Sequence, residues 1–121
     1  MLPIPHPTPA QAAGGAAEES AERFLARHGL LMLERNYRTR LGEIDLIARD
    51  GAWLVFVEVR MRRSSRFGGA AGSITPAKQR RIIAAARQYL MRFAQLPPCR
   101  FDVVCLDGEE PTWLRGAFDA G

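Results

Sequence analysis

Three carboxylates stand in segments that are otherwise apolar. Glu43 and Asp45 lie in GEIDLIA, and Glu58 lies in WLVFVEVR. Burying a carboxylate costs several kcal/mol unless it is paired or bound to a cation. Asp50-Gly51, between the two segments, is a hairpin turn signal. A two-residue turn there pairs Arg49 with Ala52. Asp45 then faces Phe56, with Glu58 as its diagonal neighbour on the same face, and Glu43 lands directly opposite Glu58. Arg60 shares that face. Facing like charges destabilise a sheet unless something neutralises them, and hard carboxylate oxygens suit a divalent ion such as Mg or Mn. A three-residue turn would carry Asp45 to the other face and dissolve the site. In the competing reading Glu58 ends its strand at the surface against Arg60 or Arg62, an ion pair worth little.

The elements that must position these groups follow an αβββαβ order. Residues 16–28 read as a helix, with Ala17, Ala21, Phe24, Leu25 and His28 at helical spacing, acids in its early turns and Gly29 as its stop. Strands follow at 30–37, 43–49 and 53–60. The last is apolar on both faces until Glu58 and belongs in the middle of a sheet. Residues 61–74 form a Gly-rich basic loop in which Arg62, Arg63 and Arg66 supply charge and the glycines allow close backbone approach. A plain flexible connector is the alternative for this loop. Thr75 then caps a second helix with Pro76 at its first position. Ile82, Ile83, Ala86, Tyr89, Leu90 and Phe93 form its apolar stripe. Pro97-Pro98 ends that segment, 100–106 is a fourth strand, and a small element falls around 113–118. The class is α/β of the α+β kind, with a mixed central sheet flanked by helices, in one domain over 16–121. Residues 1–15, with four prolines and two glycines, read as a disordered extension and not as a secretion signal.

Composition limits what this domain can be. The chain has 121 residues, 47% hydrophobic and 25% charged, which is ordinary for one globular unit. No apolar run approaches the roughly 18 residues a membrane-crossing helix needs. Cys99 and Cys105 lie six apart in one apolar run, which if extended as a strand holds them too far apart to bridge, and this fits a reducing, cytoplasmic setting. With two His in all, a zinc centre is a poor fit. The net charge of +4 hides a segregation: residues 59–101 hold ten basic side chains and no acid, whereas the flanking stretches are net acidic. Such a field is the footprint of a phosphate backbone, and the alternative is a solvated helix face. The near absence of aromatics from the basic loop argues against base stacking. Of seventeen cations sixteen are Arg, and Lys78 is the only lysine.

The residues Gly42 to Ala48, then Asp50-Gly51, then Leu54 to Arg60 closely resemble the YraN-like family of small bacterial proteins. The likeness continues through Leu33 to Arg38, Lys78-Gln79 and Arg100 to Val104, and covers about residues 16–118. It implies a restriction-endonuclease-like fold, similar to archaeal Holliday-junction resolvases, with a version of the PD-(D/E)XK nuclease motif. Carried over by position, Glu18 is the first-helix acid, Asp45 the metal-binding Asp, and Glu58 the acid of the E-x-K element. Ala17 stands where the family has Gly, and Arg60 stands where it usually has Lys.

The chemistry implied is phosphodiester hydrolysis, with Asp45, Glu58 and Glu18 holding Mg or Mn. Arg60 can stabilise phosphate charge, but its pKa is too high for a base. Either the exchange follows the Arg bias and weakens catalysis, or Lys78 supplies the amine from the second helix, which requires Lys78 to approach Glu58. Lys78, Arg81 and the three loop arginines are the expected nucleic-acid contacts. The expected activity is an endonuclease on structured or branched DNA, for which a homodimer would suit symmetric cutting. The alternatives are a catalytically weakened nucleic-acid-binding module on the same fold, or an interaction module for an acidic partner.

Overall fold

The computed structural model describes residues 9–61, 74–108 and 110–120, with side chains from residue 15 onward. Two helices and five strands follow in the order α1 (Pro9–Arg27), β1 (Leu31–Arg38), β2 (Glu43–Asp50), β3 (Trp53–Arg60), α2 (Pro76–Leu90), β4 (Cys99–Cys105) and β5 (Thr112–Phe118). The expected αβββαβ order is present, and the small element near the C-terminus is a fifth strand. The sheet runs β1-β2-β3-β4-β5 and is antiparallel except for β3 and β4, which α2 joins as a parallel crossover pair.

The first helix begins at Pro9, seven residues before its expected start at 16. Proline at a first helical position lacks only an amide that would be orphaned there, and the alanines that follow are the best helix formers. Residues 1–8 of the expected extension lie outside the described residues. The helix closes where Gly29 signalled. The Leu30 amide donates to Leu25 O at 3.1 Å and the Gly29 amide to Ala26 O at 3.0 Å, the paired bonds of a Schellman end.

The sheet is buried on both faces. Ala21, Phe24 and Leu25 of α1 cover Leu46, Ala48, Val55, Val57 and Val104 on one side. Ile82, Ala85, Ala86 and Tyr89 of α2 cover Ile47, Leu54, Phe56, Phe101 and Val103 on the other. This double burial explains why β3 is apolar along nearly its whole length. Thr75 caps α2, its hydroxyl accepting the Lys78 amide at 3.1 Å, so the first turn of α2 has a fixed start. Among the described residues no helix is long and apolar enough to cross a membrane. Cys99 is exposed, Cys105 is buried, and both are free thiols.

The β2–β3 hairpin corrects the expected register. Asp50 pairs with Trp53 and Leu46 with Val57, so the turn residues are Gly51 and Ala52 rather than Asp50 and Gly51. Gly51 takes φ +61°, the sign that primed hairpin turns require at their first central residue. The displacement is two residues. Because side chains alternate with a period of two, the shift changes partners and leaves faces unchanged.

Candidate active site

Asp45 sits where β2 parts from β3. The paired ladder ends at Leu46–Val57, and Ile44 joins the α2-side core together with Ile47, so the strand changes phase between them. Beyond that point Asp45 Oδ2 accepts the Val59 amide at 2.8 Å. A side-chain carboxylate thus takes an amide that strand pairing no longer serves. The ladder's register, continued one step, sets Asp45 beside Glu58, and the two carboxyl groups share a hydrogen bond. Glu43, expected opposite Glu58, is exposed instead and pairs with Arg38 Nε at 3.5 Å.

Glu58 does not end its strand at the surface. It is 4% exposed, and its Oε1 lies 2.6 Å from Lys78 Nζ and 3.8 Å from an Arg60 guanidinium nitrogen. Lys78 reaches it from the first turn of α2, a position fixed by the Thr75 cap. The shorter contact belongs to the amine of α2 and the longer one to the residue two places along the strand. Lys78 therefore meets the proximity that its role in place of Arg60 requires.

The electrostatics are those of two acids sharing one site. Burial, reinforced by the Asp45 charge, raises the Glu58 carboxyl from 4.5 to about 7, against the opposing pull of Lys78. Burial also raises Asp45, although the Val59 amide favours its charged form. Asp102 shows the contrast. It is fully buried, yet it accepts from Arg100 Nε, Trp113 Nε1 at 3.0 Å and the Gly116 amide at 2.9 Å. With its oxygens fully engaged, Asp102 ties β4 to β5 across the register shift between Phe101 and Val103.

Asp45 and Glu58 fit a Mg or Mn ion as a two-carboxylate site. Such ions are commonly held by one or two carboxylates, with water and substrate phosphate completing the shell. Glu18 is not gathered into that set: among the described residues no group of three or more His, Cys, Asp or Glu could hold a metal. Glu18 is half-buried on α1, hydrogen-bonded to the Asn36 side chain, and close enough to feel Asp45. Burial is the main cause of its raised pKa.

Asn36 is a residue that motif reasoning missed. It lies in β1 between the pairs Arg35–Leu46 and Tyr37–Ile44, and so alongside Asp45. Its φ is +52°, the one positive value outside glycine among the described residues. An asparagine can occupy that region, where most side chains are strained. No periodicity signals this position.

A basic cleft of about 390 Å³ adjoins the carboxylates. Arg38 and Arg40 line it from the β1–β2 turn, and Lys78 and Arg81 from α2. Gly42 sets its width. A Cβ there would lie 2.7 Å from the Arg81 carbonyl carbon and 2.9 Å from Arg81 Cβ, so only glycine lets the turn rest on the helix. Arg38 and Arg40 were also not anticipated, because they lie outside the acid-free stretch that drew attention to charge. The expected contacts Arg62, Arg63 and Arg66 lie outside the described residues.

Comparison with known proteins places this arrangement in a wider set. The model of the uncharacterised protein family UPF0102 matches residues 17–106. A UPF0102 protein of Janthinobacterium sp. (strain Marseille) is 55% identical over 113 residues, covering 93% of this chain and 92% of the relative. A UPF0102 protein of Nitrosospira multiformis is 56% identical over 109 residues, covering 88% and 92%. One from Cupriavidus taiwanensis is 58% identical over 112 residues, covering 91% and 85%.

Proposed function

The chain belongs to the UPF0102 family, and we propose that it is a divalent-metal-dependent endonuclease whose centre is Asp45, Glu58 and Lys78, acting on DNA. The observation that carries this reading is the 2.6 Å contact between Lys78 Nζ and a buried Glu58 that shares a hydrogen bond with Asp45. The combination of paired acids and an amine, on a mixed sheet with the αβββαβ order, is what the PD-(D/E)XK likeness calls for.

Asp45 and Glu58 would hold Mg or Mn, which supplies Lewis-acid stabilisation of the charge that develops on the phosphate. The rest falls to the chain's own groups. Lys78 Nζ holds Glu58 Oε1 and presents its remaining protons toward the cleft, where it orients a water for attack. The amine is a compact charge whose three donors can turn to acid and water together, whereas the Arg60 guanidinium offers a rigid fork that suits attraction for the phosphate. The Val59 amide fixes Asp45 so that its second oxygen stays available. The basic side chains of the cleft, with Arg62, Arg63 and Arg66 of the following loop, bring in the polyanion.

The test is cleavage of supercoiled plasmid and of a four-way junction with Mn²⁺, Mg²⁺ or EDTA. Wild type is expected to cut only with metal, and Glu58→Ala and Lys78→Ala are expected not to cut. Salt-sensitive binding to DNA without cutting in any metal would replace this reading with a binding module on the same fold.

A further inference from the structure

We infer that the cleft between the β1–β2 turn and α2 is a phosphate subsite that grips the strand being cut, next to the scissile bond and without regard to base sequence. The inference rests on the nuclease reading, because the gripped strand is the one presented to Glu58.

Four cations converge on this cleft from two elements: Arg38 and Arg40 from the turn, Lys78 and Arg81 from α2. Two of them have partners of their own. Arg38 pairs with Glu43, and Lys78 with Glu58. Arg40 and Arg81 make no ion pair among the described residues. Gathering like charges into one concavity is unfavourable unless an anion is to occupy it.

The convergence is built into the frame. The Thr39 hydroxyl accepts the Leu41 and Gly42 amides at 3.1 Å each and donates to Gly42 O at 2.9 Å, and the Thr39 amide donates to the same oxygen at 2.8 Å. That closes the turn between Arg38 and Arg40 and fixes their spread. Gly42 rests the turn directly on the Arg81 backbone, which brings the two charged walls close together. Lys78 belongs to both the cleft and the acid pair. A phosphate held in the cleft is therefore the neighbour of the one at Glu58.

Five side chains with donors line the cleft, Thr39 and the four cations, beside the Glu43 carboxylate that Arg38 pairs with, and among the described residues no aromatic ring lines it. Bases have nothing to stack on, and the arginine forks match phosphate oxygens. The occupant is a nucleic-acid backbone read by charge alone.

The test is DNA binding by the full chain in EDTA, where no metal supports cleavage, measured from 50 to 300 mM salt. Arg40→Gln and Arg81→Gln are each expected to lower the slope of log K against log salt by about 0.9, equally for unrelated sequences. Arg115→Gln, on β5 at the far edge of the sheet, is expected to leave the slope unchanged. An unaltered slope in the Arg40→Gln/Arg81→Gln double variant, shown to be folded by its circular dichroism, overturns the inference. So does a loss that depends on base sequence. Inorganic phosphate is the second probe: if it displaces DNA at equal phosphate concentration, the cleft takes free anions and the strand assignment fails. Because metal is absent, failure of these slopes is separable from failure of the nuclease reading, which is judged by cutting in Mn²⁺.

Discussion

Replacing Glu58 with glutamine should change how stability depends on pH, by an amount the site's geometry sets. In the folded chain the Glu58 carboxyl holds its proton to about pH 7, against 4.5 when it is free of the fold. The folded state therefore binds more protons than the unfolded one across that interval. The stabilisation this provides is fully present below about pH 4.5 and is lost as pH rises through 7. With these two values, the loss between pH 5 and pH 8.5 is about 2–3 kcal/mol. Glutamine keeps the side-chain volume, removes the charge and does not titrate. The Glu58→Gln protein should thus lack most of this slope and keep a smaller one from Asp45, which burial also raises. The assay is urea unfolding in EDTA at pH 5 and pH 8.5. For slopes of about 1–3 kcal/mol per molar urea, wild type should lose roughly 1–3 M in midpoint relative to the variant. Millimolar Mn²⁺ at pH 8.5 should restore wild type and not the variant, since an ion that binds only the folded state stabilises it by mass action. Parallel pH profiles for the two proteins would refute the shared-acid account of the site.

Other substitutions probe the frame. Lys78→Met should slow cleavage at least a hundredfold while weakening DNA binding only a few-fold, and Lys78→Arg should not rescue the rate. Arg60→Lys, by contrast, should leave cutting at or above the wild-type rate, as single-turnover assays would reveal. Gly42→Ala should cost about 1–3 kcal/mol in urea unfolding, because the new Cβ meets the α2 backbone rather than a movable side chain. Asp102→Ala should cost about 1–3 kcal/mol by leaving Trp113 Nε1 and the Gly116 amide without their acceptor and Arg100 with Asp50 alone, yet keep the cutting rate per folded molecule. Asn36→Gly should melt close to wild type and Asn36→Ala about 1–2 kcal/mol lower, since only the alanine is strained at positive φ.

What the sequence conveyed was whatever a period or a cap encodes. The span of β3 follows from WLVFVEVR, the start of α2 from Thr-Pro, and the stop of α1 from Gly29. The common face of Asp45 and Glu58 survived an error in the turn because that error was an even number of residues. What stayed hidden depends on geometry between elements. Pro9 at a helix start looks the same as proline in a loose tail. Asn36 is marked by a backbone angle, not by a pattern. The basic cleft is assembled by the contact of Gly42 with Arg81, 39 residues apart in sequence, so no local charge run contains it. Asp102 carries the same one-letter signal as Asp45, and only its hydrogen-bond partners separate an acid engaged on every side from the candidate site acid.

That separation also bears on Arg60. Two cations approach Glu58 Oε1, and their distances are unequal, 2.6 Å for Lys78 and 3.8 Å for Arg60. If the strand position were indispensable, arginine there would leave the centre with attraction for phosphate but no amine beside the acids. An amine that arrives from α2 removes this constraint on residue 60, which then needs only positive charge. Arginine satisfies that need in a chain where sixteen of seventeen cations are arginine. The one lysine stands at the position in closest contact with the buried acid. Under the nuclease reading, the departure from the E-x-K pattern and the single lysine are then one fact: the amine stands on the helix beside the buried acid, and the strand carries the guanidinium.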